Sequence, residues 1–246
     1  PPSEGAALEL AGNIKELHGL PVVLVSRNSE AGSLEDGPID WGFTWSGDGK
    51  IFIHIIRFIE DTINTQLYSK NLDSGIVLIV EPGKRHYSKL VYETQRIISD
   101  YMEEVLRDDL TWAQKKQRMW FRPRTLLATG IEQARSMLEK NPDKLRCVIL
   151  GDVEEHGAII DLLKGVCPAV PVLSTVPDRD KCRTASRDSP MFLRDIEAFL
   201  RESIGQTTLV FHDGQQEKLA QVEDVRDLEK ALWNLPDEGL LSYHRD

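Results

Sequence analysis

Gly75-Ile76-Val77-Leu78-Ile79-Val80-Glu81-Pro82-Gly83 is the stretch that decides the fold. Five aliphatic residues run without interruption, opened by a glycine and stopped by Glu81-Pro82-Gly83. A strand with one wet face alternates apolar and polar residues, whereas a continuous run marks a strand covered on both faces. Outward to the carboxyl side, Tyr87, Leu90, Val91, Thr94, Ile97, Ile98, Tyr101, Met102, Val105 and Leu106 recur at helical spacing, one stripe over about five turns. Thr125–Ala128 then reads as a strand, Ile131–Lys140 as a helix, Cys147–Leu150 as a strand and Ile159–Val166 as a helix. Val170–Thr175 is the next strand, Phe192-Leu193 a very short one, and Asp195–Ile204 a helix. Alternation of this kind builds a parallel sheet with right-handed crossovers and helices on both faces. The expected strand order over 75–206 is 2-1-3-4-5.

Toward the amino end, Leu8, Ile14 and Leu17 predict a short helix ending near Gly19. Pro21–Ser26 is an apolar strand, and Ile39–Trp45 a second one after a turn-rich loop. A helix follows with Ile51, Phe52, Ile55, Ile56, Ile59 and Ile63 as its apolar stripe, read as core first and as a domain interface second. Pro21–Ser26 and Pro171–Thr175 look like one element used twice, each followed by a polar loop, a short strand and an amphipathic helix. Beyond Thr207, Leu209–Phe211 and Leu219–Val222 flank His212-Asp213-Gly214 as a hairpin, and Val225–Leu235 reads as a helix stopped by Pro236. The expected organisation is thus a partial unit over 1–70, a full unit over 75–206 and an appendage over 207–246.

Composition narrows the function. The chain has 246 residues and a net charge of -10, the wrong sign for a general binder of nucleic acid or of an anionic membrane. The basic stretch Lys115–Arg124, interleaved with aromatic residues, is therefore read as a solvated helix end or an interdomain contact. Three cysteines without metal-ligand spacing, no spanning apolar run and no signal peptide point to the cytoplasm. His54 reads as a packed or surface histidine and Cys147 as core. His86 and His156 fall near the edge where ligands bind.

In an open parallel sheet that edge lies beyond the carboxyl ends of the strands. Glu81 ends the first strand of the 75–206 unit and Asp152 follows the third, so their carboxylates are expected to converge and to suit Mg²⁺, which takes oxygen ligands. Thr175 and Arg194, on the next two strands, would bind a phosphoryl group carried by the acid. With Ile79-Val80-Glu81-Pro82-Gly83, Val148–Val153, Val170–Thr175 and Phe192-Leu193-Arg194, residues 75–206 resemble a response-regulator receiver domain. The resemblance implies a flavodoxin-like (CheY-like) α/β fold, phosphorylation of Asp152 by a histidine kinase, Mg²⁺ held by Glu81 and Asp152, and Thr175 and Arg194 as phosphoryl-stabilising groups.

Four departures accompany it. Pro82 stands where receivers have a second acid, and Arg194 where they have lysine. Thr175 falls one residue short of the usual hydroxyl, and the Asp152–Gly157 loop is short. Two readings stay open: a phosphorylated receiver, and a phosphorylation-independent pseudo-receiver for interaction or homodimerisation. Residues 1–70 resemble the last third of another receiver with Trp45 at the lysine position, and carry no acceptor.

Phe43–Asp48, Phe58–Asn64, Arg122–Ala128 and Leu235–Glu238, taken in order, look like the amino-terminal regulatory region of some bacterial phosphoenolpyruvate synthase and pyruvate phosphate dikinase-type proteins. That likeness implies phosphotransferase domains downstream in the same protein. The chain holds no phosphohistidine Thr-Ser-His string and no Gly-rich nucleotide loop, so it is expected to be non-catalytic. A small-molecule enzyme on this fold is disfavoured, because no nucleophile and base pair stands out.

Overall fold

The computed structural model describes residues 4–27, 37–45, 47–68, 75–107, 112, 115, 119, 122–176, 182–205, 209–212 and 218–222. The chain divides into two compact units, Pro1–Leu200 and Arg201–Asp246. In the first, a helix α1 (Glu4–His18) precedes the parallel pair β1 (Val23–Ser26) and β2 (Trp41–Thr44), and helix α2 (Ile51–Tyr68) follows. Then come β3 (Ile76–Val80), α3 (Lys84–Leu106), β4 (Arg124–Ala128), α4 (Ile131–Lys140), β5 (Leu145–Leu150), α5 (His156–Val166), β6 (Val172–Ser174), β7 (Arg183–Thr184) and α6 (Phe192–Gly205). Strands β8 (Leu209–His212) and β9 (Lys218–Val222) of the second unit form the expected antiparallel hairpin. The turn at Asp213-Gly214, the helix expected over 225–235 and half of the basic stretch 115–124 lie outside the described residues.

The five-stranded sheet is parallel throughout, in the order β4-β3-β5-β6-β7, which is the expected 2-1-3-4-5. Strand β3 sits between β4 and β5, and its five residues are all buried. Four of the five are β-branched, which suits a pleated strand covered on both faces. On one face, Ile76, Leu78 and Val80 join Leu126, Ala128, Val148 and Leu150 in a core closed by α4 and α5 through Ala134, Leu138, Ile159, Ile160 and Leu163. The opposite face lies under α3, whose stripe buries Leu90, Val91, Ile97 and Ile98.

The last strand departs from expectation. Phe192 and Leu193 open helix α6, and the fifth strand is the two-residue β7 instead. Ser189 explains the shift: its Oγ accepts the Met191 N–H at 3.1 Å and its carbonyl the Phe192 N–H at 3.1 Å, with Pro190 between them. A capping serine followed by proline is a helix start. The connection 175–182 is also shorter than the dozen or so residues that a parallel crossover usually needs.

The described residues of 4–68 fall within the same unit as the sheet. Phe43 of β2 meets Phe58 of α2 and Tyr87 of α3 edge-on, with ring centroids 5.7 and 5.8 Å apart. Helix α2 lies against α3 and β4, pinned by Asp61, whose residue is 1% exposed. Its Oδ2 accepts Gln95 Nε2 at 2.8 Å and the Thr125 N–H at 3.0 Å, and its Oδ1 pairs with Arg122. Burial pushes the Asp61 carboxyl above the usual carboxylate range, against the pull of Arg122, the Thr125 N–H and Gln95. The stripe read as core is divided: Ile51 and Ile55 are buried and Ile59 half-buried, but Phe52, Ile56 and Ile63 are exposed; beside it Phe58 is buried and Ile53 exposed. The two look-alike segments do share a plan. Strands β1 and β2, like β6 and β7, are a parallel pair followed by an amphipathic helix.

Two phenols tie the amino-terminal elements to α3. The Tyr87 O–H donates to the Gly42 carbonyl, and the Tyr92 O–H to Asp48 Oδ2 at 2.7 Å. Burial raises Tyr87 from 10.0 to about 12, and the bond to Asp48 raises Tyr92 to about 12. Between these values the folded chain keeps protons that the unfolded chain has released, so stability falls as pH rises from 10.0 toward 12. Unfolding measured across that range should show the loss, and Tyr87→Phe with Tyr92→Phe should flatten it.

Candidate functional site

Glu81 stands at the carboxyl end of β3, 1% exposed. The strand ladder carries it there: its N–H donates to the Ala128 carbonyl at 2.9 Å, and the Gly151 N–H donates to Val80 at 2.7 Å. Two glycines leave room for its carboxylate. A Cβ on Gly151 would lie 2.0 Å from Glu81 Oε2, and one on Gly83 2.8 Å from Oε1. With that space kept, the backbone comes close enough to donate, Gly83 N–H to Oε1 at 2.8 Å and Asp152 N–H to Oε2 at 3.2 Å.

The cation on Glu81 is Arg187, from the segment between β7 and α6. Its Nη2 pairs with Glu81 Oε2, and its Nε donates to Thr175 Oγ1 at 3.0 Å. Its Nη1 lies 3.1 Å from His86 Nδ1. The planar guanidinium thus spends three nitrogens on three different partners, which an ammonium on a single point cannot do. A buried carboxylate is costly unless paired and hydrogen-bonded, and Glu81 has both kinds of partner.

Of the residues singled out in the sequence, Glu81 and Asp152 come to the same edge, joined through the Asp152 N–H. Thr175 is there too, wholly buried after β6. The Asp152 side chain is exposed. Arg194 is not on a strand: it is exposed in the first turn of α6, and the cation reaching Glu81 and Thr175 is Arg187. Arg187 was missed, although the Ser189-Pro190 helix start two residues on was the available signal. His156 also lies at this edge, its Nε2 3.2 Å from Ser174 Oγ. Ser174 is wholly buried, and its hydroxyl donates to the Val176 carbonyl at 2.8 Å.

Mg²⁺ at Glu81 would have to compete with Arg187. Both oxygens of Glu81 are already accepting, one of them from a guanidinium. A dication brought within about 4 Å of that guanidinium meets roughly 8 kcal/mol of repulsion at an effective dielectric of ~20. Among the described residues no group of three His, Cys, Asp or Glu side chains converges to hold a metal. Among them, too, no helix is long and apolar enough to cross a membrane. No protein-family model, curated protein or solved structure matches the chain.

Proposed function

We propose that the chain is a receiver-type regulatory module, flavodoxin-like in its 75–206 unit, that engages its partners without being phosphorylated. The observation that carries this reading is Arg187 on Glu81: the chain's own guanidinium stands on the acid that a receiver would offer to a metal. Strand order 2-1-3-4-5 and the meeting of Glu81, Asp152 and Thr175 at one edge support the receiver-type part. The pairing of Arg187 with both Glu81 and Thr175 supports independence from phosphorylation, since acid and hydroxyl are already occupied. On the likeness of its strings, the module would regulate a phosphoenolpyruvate synthase or dikinase-type phosphotransferase joined to it.

The test is a heteronuclear NMR titration with Mg²⁺ and beryllofluoride. Resonances of Glu81, Asp152 and Thr175 should stay in place with ~10 mM metal, above the weaker oxygen sites. Shifts at those residues that vanish in Asp152→Asn would overturn the proposal and restore phosphorylation at Asp152.

A further inference from the structure

We propose that a second copy of this chain docks on the outer face of α2, in an antiparallel, two-fold symmetric pair. The face is apolar where a surface helix is normally charged. Phe52 is 49% exposed, Ile53 54%, Ile56 56% and Ile63 36%, with Ile59 half-buried beside them. Glu60 is the one exposed charged side chain from Ile51 to Gln66. The charged neighbours turn inward, Asp61 to Arg122 and Arg57 to Ser99 of α3.

The spacing says which occupant fits. Phe52, Ile56, Ile59 and Ile63 follow one another at four, three and four residues, a heptad seam that reads the same in both directions. Laid antiparallel on itself, it sets Phe52 against Ile63 and Ile56 against Ile59, and each pair recurs across the two-fold axis. An isologous interface needs that self-complementarity, and a partner of another sequence does not. The same register puts Glu60 beside Ile53 of the other copy, away from the second Glu60.

The area sets the strength. The seam offers about 350 Å² of apolar surface per copy, within the range of patches that carry function. Two copies cover roughly 700 Å² of it, and with the rim the interface stays at the small end of specific contacts. The dimer is therefore weak, dissociating on the order of tens of micromolar. This pairing rests on α2 alone and is independent of the contact between Arg187 and Glu81.

Sedimentation equilibrium on the full chain tests it. The wild type should pass from monomer to dimer across tens of micromolar. Ile56→Glu, which brings two carboxylates together at the two-fold, should weaken the dimer ~100-fold or more while leaving the far-ultraviolet circular dichroism unchanged. Phe52→Cys with Ile63→Cys supplies a second reading. The two positions lie about 16 Å apart within one helix, too far to join, yet face each other in the pair. Mild oxidation should give a covalent dimer from the double variant and none from either single variant. A wild type that stays monomeric to ~200 µM overturns the proposal. So does a dimer that Ile56→Glu leaves intact and the paired cysteines fail to capture, since its interface is then elsewhere.

Discussion

Asp61→Ala should lose about 3–5 kcal/mol of unfolding free energy, the usual cost of breaking a buried pair by removing one partner. Alanine leaves Arg122, Gln95 Nε2 and the Thr125 N–H without the acceptor they share. The first is a charge, the second a buried amide and the last a main-chain donor in β4. Urea unfolding measures the loss as a lower midpoint. Its pH dependence has a definite sign. The folded-state value of Asp61 lies above the usual 3.8, so between the two the folded chain holds a proton that the unfolded chain has released. The gap between wild type and variant should therefore narrow as pH rises from 3.8 through the raised value, and stay constant above it. A gap that widens would show the ionised form to be the favoured one in place.

Arg187→Ala should be nearly as costly, roughly 3–5 kcal/mol, because it strands the carboxylate of Glu81 in a site that is 1% exposed. The variant also separates two roles for Arg187. If the guanidinium only packs, the loss is insensitive to salts. If it stands where a cation is wanted, the bared carboxylate should draw one, and ~10 mM Mg²⁺ should raise the melting temperature of the variant and not of the wild type. Arg187→Lys should lose less, about 1 kcal/mol, by keeping the charge and giving up the fork that reaches Thr175 and His86 at once. Equal response of wild type and Arg187→Ala to Mg²⁺ would refute the second role.

The central strands were legible because burial on both faces writes itself as uninterrupted apolar runs, as in Ile76–Val80 and Cys147–Leu150. Once their order was fixed, the sheet's carboxyl edge followed, and with it Glu81, Asp152 and Thr175. Strand β7 was not legible. Arg183 and Thr184 are both exposed and supply no hydrophobic signal, so the apolar Phe192-Leu193 drew the strand assignment toward itself. That displacement carried the expected cation from Arg187 to Arg194. The Ser189-Pro190 start outranks two apolar residues as a marker, because a helix must satisfy its first N–H groups whatever it packs against. The double nature of α2 was hidden for another reason. Six apolar residues on one helix do not say which of them a neighbour will cover, and Asp61, a polar residue, turned out to mark the inner side.

The brevity of β7 bears on solubility. Among the described residues β7 pairs with β6 alone, which makes it a margin of the five-stranded sheet. A long flat margin of Val and Ile is a template for strands of other molecules and a route to fibrils. Here an incoming chain finds a ladder two residues long, with Arg183 on it and Pro190 a few residues beyond. The most aliphatic strand, β3, is sealed between β4 and β5, out of reach of such growth. The chain thus keeps its most aliphatic strand away from both margins, and of the two margins, β4 and β7, the one at β7 is short and charged.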